Sequence, residues 1–200
     1  MTLLRIPPPQ LHLHLGIPNL VMDVIILLWG LEEVLAWAKR NYIMRRGYHG
    51  GQFDGNNAKK ILERLDDLEA SCPSSCAPLV HLLRSFKPIV SGCFGQSLDP
   101  SFHELISSFK TQFLKTQQYV AGLESNIRLN VTWKVHTLIV HLPQFLEMSG
   151  CGLARYSEQC GESVHHIIKK VLARFKLEET HPKHGERFKR AVVEFSTERL

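Results

Sequence analysis

Two hundred residues, 44% hydrophobic and 22% charged, are enough for one domain with a core of its own, and they exclude a disordered chain. The five cysteines are odd in number and irregularly spaced, and no signal-peptide pattern follows Met1. Both features predict a reducing compartment, with free thiols or metal ligands rather than a disulfide scaffold. The net charge of +5 fits a nucleic-acid partner without demanding one, because the cations are scattered as pairs such as Lys39/Arg40, Arg45/Arg46 and Lys59/Lys60.

Pro7-Pro8-Pro9 forbids helix, and Leu11-His12-Leu13-His14-Leu15 alternates with period two. The pair of signals predicts a short extended segment ending at Gly16, with His12 and His14 on its polar face. Pro18 suits the first turn of a helix running to about Met44, with Val21, Val24, Leu28, Leu31 and Leu35 on one face. Its uncharged run, Val24 to Leu31, is far shorter than the ~20 residues of a membrane span, so a buried core helix is expected and no membrane partner.

Gly47, Gly50, Gly51 and Gly55 mark a loop, with His49 inside it and Tyr48 and Phe53 to pack it. That loop lacks the Lys-Ser/Thr ending of a phosphate-binding loop, and no Gly-x-Ser-x-Gly elbow occurs anywhere. Asn56 or Asn57 can cap the next helix, which carries Ile61, Leu65 and Leu68. A break at Cys72-Pro73-Ser74-Ser75-Cys76 precedes a helix over Leu79–Val90, and Asp99-Pro100-Ser101 opens another through Phe102, Ile106, Phe109 and Phe113. Thr132 can cap a helix carrying His136 and His141, which Pro143 interrupts. After the Gly150-Cys151-Gly152 loop, a long helix is expected from about Ser157 to Phe175, and a last one after Pro182. The fold class expected is mainly α: one domain of six to eight helices with one short extended segment near the N-terminus. Residues 1–16 form the extended entry, 17–149 a helical region, and 150–200 the terminal helices.

Three sets of residues carry possible chemistry. Glu158, Glu162 and His165 or His166 share a face if their segment is helical, which suits a divalent metal or acid–base work; the alternative is a solvated polar face. His136 and His141 lie about 140° apart on a regular helix, so they can share a metal only where the helix loosens, and Pro143 supplies a reason for it to do so. Cys72-x3-Cys76 would then complete a tetrahedral zinc site; the alternative is two core histidines and two inert thiols. Glu162-x2-His165 and Glu178-x2-His181 repeat the spacing of di-iron bundles, but the second pair runs into Pro182.

The stretch from Lys134 through His136, His141 and Pro143, then Gly150, Ser157-Glu158 and Glu162-Ser163, resembles the C-terminal part of eukaryotic cut-and-paste transposases. It is similar to the core shared by Transib-type transposases and the V(D)J recombinase. There an RNase H-like sheet is interrupted by a helical insertion, and a His pair binds structural zinc with an upstream Cys pair. The last acidic residue of an Asp-Asp-Glu triad follows on a helix. The resemblance implies zinc at Cys72, Cys76, His136 and His141, and makes Glu162, twenty-one residues after His141, the vestigial catalytic candidate. It also implies DNA as a partner, a nuclear location, and a second polypeptide or homo-oligomer to supply what this chain lacks.

The departures from that pattern matter. Three residues rather than two separate the cysteines, and Asp23 and Asp54 fall in a helix and a loop rather than on strands. Two-metal phosphoryl transfer needs carboxylates from several segments to hold ions about 4 Å apart, so the expected function is transposase-derived without independent catalysis. The alternative is a helical protein–protein interaction module without metal or catalysis.

Overall fold

The computed structural model describes residues 7–46, 51–123 and 126–156, and beyond them Gly185, Glu186, Lys189 and Val193. The chain divides into two units, Met1–Ser157 and Glu158–Leu200. In the second, the four described residues are helical, in the region where a helix is expected after Pro182. The expected helix over Ser157–Phe175 lies outside the described residues, as do Glu158, Glu162, His165, His166, Glu178 and His181. Everything below belongs to the first unit, which is mainly helical.

Helix α1 (Gln10–Trp29) begins directly after the three prolines, and Leu13 N–H donates to the Pro9 carbonyl at 3.0 Å. The extended segment expected at Leu11–Leu15 is therefore helical. Alternation over five residues is too short to fix the period, and tertiary packing decides it: Leu13 and Ile17, four apart, are fully buried, while Leu11 and Leu15 straddle Gly55. Pro18 consequently sits well inside the helix and not in its first turn, where it removes the hydrogen bond to the His14 carbonyl. With this extension α1 reaches 20 residues at a mean hydropathy of 1.7, long and apolar enough by length and composition to cross a membrane. Half of that stretch is buried inside the unit, against the other helices.

The helix does not continue to Met44. Gly30, with φ at +106°, turns the chain into α2 (Leu31–Arg40), whose buried face is Val34, Trp37 and Ala38. Leu31 and Leu35, expected on the core face of α1, are exposed because the break at Gly30 resets the register. Glu32 and Glu33 at the start of α2 and Lys39 and Arg40 at its end match the helix dipole.

A two-residue antiparallel pair follows, β1 (Arg45–Arg46) with β2 (Gln52–Phe53), in which Arg45 faces Phe53. Two buried asparagines fix this hairpin. Asn19 Nδ2 donates to the Phe53 carbonyl at 2.9 Å and its Oδ1 accepts from Phe53 N–H at 2.8 Å, while Asn57 Oδ1 accepts from Met44 N–H at 2.9 Å. Helix α3 (Gly55–Glu63) is capped by Asp54, which accepts from Asn57 N–H at 3.0 Å; neither asparagine is the cap. Asn57 is occupied by the hairpin instead.

Helix α4 (Leu65–Ser71) leads through a 3-10 turn at Ser74–Cys76 into α5 (Ala77–Cys93), and α6 (Phe102–Ala121) packs along α5 as the most extensive helix pair. Phe86, Phe94, Phe109 and Phe113 form a chain of aromatic contacts between them, with centroids 5.8 to 6.2 Å apart. Arg84 on α5 bonds Asp66 at 2.6 Å and Glu69 at 2.9 Å on α4, and His81 meets Glu69 at 2.8 Å. Helix α7 (Trp133–His136) is capped by Thr132 as expected, then passes through a π-helical turn at Thr137–His141 into α8 (Leu142–Ser149). Gly150, at φ +61°, ends α8 in the left-handed conformation. Next to it Gly152 lies so close to the Gly95 carbonyl that no Cβ fits.

Candidate functional site

Pro143 has no N–H for the Ile139 carbonyl, which leaves the ladder of hydrogen bonds free to slip in the turn before it. It does so by one residue: Leu142 N–H donates to the Thr137 carbonyl, five residues back. In a π turn, side chains five apart come to lie nearly over one another. His136 and His141 thereby meet with ring centroids 5.0 Å apart and planes at 74°. His136 is exposed and His141 half-buried, so the pair is open to solvent. Two imidazoles in this position can offer nitrogen ligands to one divalent ion, neutral imidazole being the commonest metal ligand among side chains.

The second pair sits where α4 ends. Cys72 is half-buried and its Sγ donates to the Glu69 carbonyl at 3.8 Å; Cys76 is buried. Burial and the adjacent Cys72 thiol push Cys76 up to about 11, and burial raises Cys72 as well. Both are thiols at neutral pH, and a metal would have to displace their protons. Among the described residues, no three His, Cys, Asp or Glu side chains are grouped closely enough to hold a metal ion. The four expected ligands thus stand as two separate pairs. The histidine pair can supply at most two ligands, and one ion held by all four residues would require the pairs to draw together.

The remaining histidines divide by environment. His12 is exposed, its ring 6.5 Å from that of the exposed Trp133. His14 lies against Phe94, its Nε2 buried without a hydrogen-bond partner, and burial with the nearby Lys59 charge holds it below the ordinary histidine value. His49 lies outside the described residues.

A feature not anticipated from the sequence is a cleft of about 760 Å³ between the end of α2, β1 and the start of α3. Lys39, Arg45 and Lys60 line it together with Asp54. At its edge the end of α2 forms a Schellman turn: Ile43 N–H donates to the Ala38 carbonyl at 2.8 Å and Tyr42 N–H to the Lys39 carbonyl at 3.2 Å. Tyr42 occupies the left-handed position of this turn, φ +55°, where glycine is the usual residue, at a cost of roughly 1–2 kcal/mol. Its side chain gains no burial in return, being 83% exposed. Lys60 Nζ donates to the Tyr42 carbonyl at 2.8 Å and fixes the turn from below. The signal available in the sequence was Lys39-Arg40-Asn41-Tyr42-Ile43-Met44-Arg45-Arg46, four cations in eight residues around a tyrosine.

Comparison of the chain with protein families, curated proteins and solved structures finds no match.

Proposed function

We propose that this chain is a DNA-binding helical module of transposase ancestry, acting in the nucleus, in which His136 and His141 form a metal-ligand pair and Cys72 and Cys76 its zinc-binding counterpart. The observation that carries the reading is the π turn at Thr137–His141, which brings the two rings to 5.0 Å. A regular helix would send them to different faces, and a pair needed only for packing has no use for an exposed His136. The cations of the cleft support the DNA component, because phosphate contacts dominate such affinity. Titrating zinc into metal-free protein by calorimetry tests the metal component. About one equivalent should bind, with a rise in thermal stability, and His141→Ala should abolish both. Absence of heat and of any stability change in the parent chain would remove zinc from the reading.

A second reading, a helical interaction module, is favoured by one observation. Leu31 and Leu35, four apart on α2, are both exposed, and neighbouring apolar side chains of this kind recruit a partner chain. Sedimentation of the purified protein separates the two: self-association lost in Leu31→Lys favours the module, and a monomer that binds DNA favours the first reading.

A further inference from the structure

We propose that the cleft beside Tyr42 binds a single-stranded nucleic acid, with the Tyr42 ring stacked on an unpaired base and Lys39 and Lys60 facing its phosphates. This rests on the DNA-binding reading above and adds the place of binding and the form of the strand.

Charge comes first. Three cations and one carboxylate line the cleft, and the carboxylate, Asp54, is already engaged as the α3 cap, accepting from Asn57 N–H at 3.0 Å and Nδ2 at 2.8 Å. The cleft therefore presents net positive charge to an incoming group. Arg45 also lines the cleft, but its Nε is buried and its Nη2 lies 3.9 Å from Asp23, so its charge is partly answered within the chain. Lys39 and Lys60, both exposed, are the cations that a phosphate oxygen can reach.

The aromatic group then distinguishes among anionic partners. A large ring held 83% exposed, on a backbone conformation that disfavours it, is placed for something outside the chain. Every nucleobase offers a π-face, and exposed aromatics beside cations are the recurring platform for unpaired bases. A duplex keeps its bases stacked on each other and offers the ring no such face. The anchoring of the Tyr42 carbonyl by Lys60 links the platform to the phosphate contacts, so one side chain serves the backbone of the turn and the charge of the cleft.

The test is fluorescence anisotropy of the full chain with a labelled oligothymidine strand, a duplex of the same length, and polyglutamate as competitor. The parent should bind the single strand more tightly than the duplex, and polyglutamate should not displace it. Tyr42→Gly relieves the left-handed backbone and so keeps or raises thermal stability, yet should weaken strand binding about tenfold. Lys39→Gln should weaken it and reduce the logarithmic salt slope by roughly 0.7. Undiminished strand binding by Tyr42→Gly in a parent whose affinity falls with salt would overturn this site while leaving DNA binding elsewhere on the chain. Preference for duplex or displacement by polyglutamate would overturn it too. A parent that binds neither strand nor duplex would overturn this site and the DNA-binding reading together.

Discussion

His136 and His141 stand five residues apart in the chain, yet their ring centroids are 5.0 Å apart, because one extra residue is accommodated in the turn between them. Pro143, which cannot donate to the Ile139 carbonyl, removes the hydrogen bond that would oppose the extra residue. A proline two residues downstream of His141 thus favours the turn that brings the two imidazoles together.

Replacing that proline should separate the pair. Pro143→Ala restores the missing donor and allows a regular helix through Thr137–His141. Zinc affinity is then expected to fall by about tenfold, the scale on which orienting residues act on metal ligands, with thermal stability unchanged or higher. Calorimetric titration of the variant checks the first, and a melting curve the second.

Tyr42→Gly should stabilise the fold. Glycine takes the left-handed position of the Schellman turn without the Cβ clash, while the lost ring was exposed and contributed little burial. Backbone entropy offsets part of the gain, leaving roughly 0.5–1 kcal/mol, or a rise in Tm of about 1–4 °C. Tyr42→Ala keeps the strain and should show no such rise.

The hairpin depends on one amide. Asn19→Ala would remove the amide that bonds both the N–H and the carbonyl of Phe53 in a buried setting. The expected loss is roughly 2–4 kcal/mol in chemical denaturation, and Asn19→Asp should recover only the half made by the accepting oxygen.

Acid should weaken the unit through His14. Folded, this side chain holds its proton less readily than the ordinary histidine value of 6.5, so below that pH the unfolded chain binds more protons than the folded one. Its contribution is complete above pH 6.5 and is lost as the pH falls toward the lowered folded value. His14→Phe keeps a ring against Phe94 and removes the titration. Melting curves between about pH 7 and pH 5 should therefore slope less in the variant than in the parent.

Local signals carried the sequence reading furthest. Thr132 caps its helix as expected, the breaks at Cys72–Cys76 and Gly150 fall in place, and the helical class follows from the apolar spacing of segments such as Phe102–Phe113. Where the reading failed, a longer-range contact had overruled a local cue. Leu11–Leu15 alternates like a strand, but burying Leu13 and Ile17 in the core requires a helix. Asn57 is a good cap by type, yet the hairpin claims it and Asp54 caps instead. The loosened helix between the histidines was legible because Pro143, which favours it, lies two residues away in the chain. The cleft was not, because it joins α2 to α3 and hinges on a tyrosine in a glycine's position, which no propensity indicates. Glu162 and the acidic–histidine cluster around it lie outside the described residues.

X-ray absorption at the zinc edge, on the zinc-loaded chain and on its His136→Ala variant, tests the central claim most directly. The account predicts a shell of imidazole nitrogens at about 2.0–2.1 Å in the parent, diminished in the variant; a sulfur shell at about 2.3 Å beside it would bring Cys72 and Cys76 on to the same ion. Zinc that fails to stay with the parent, or a nitrogen shell identical in parent and variant, would contradict it.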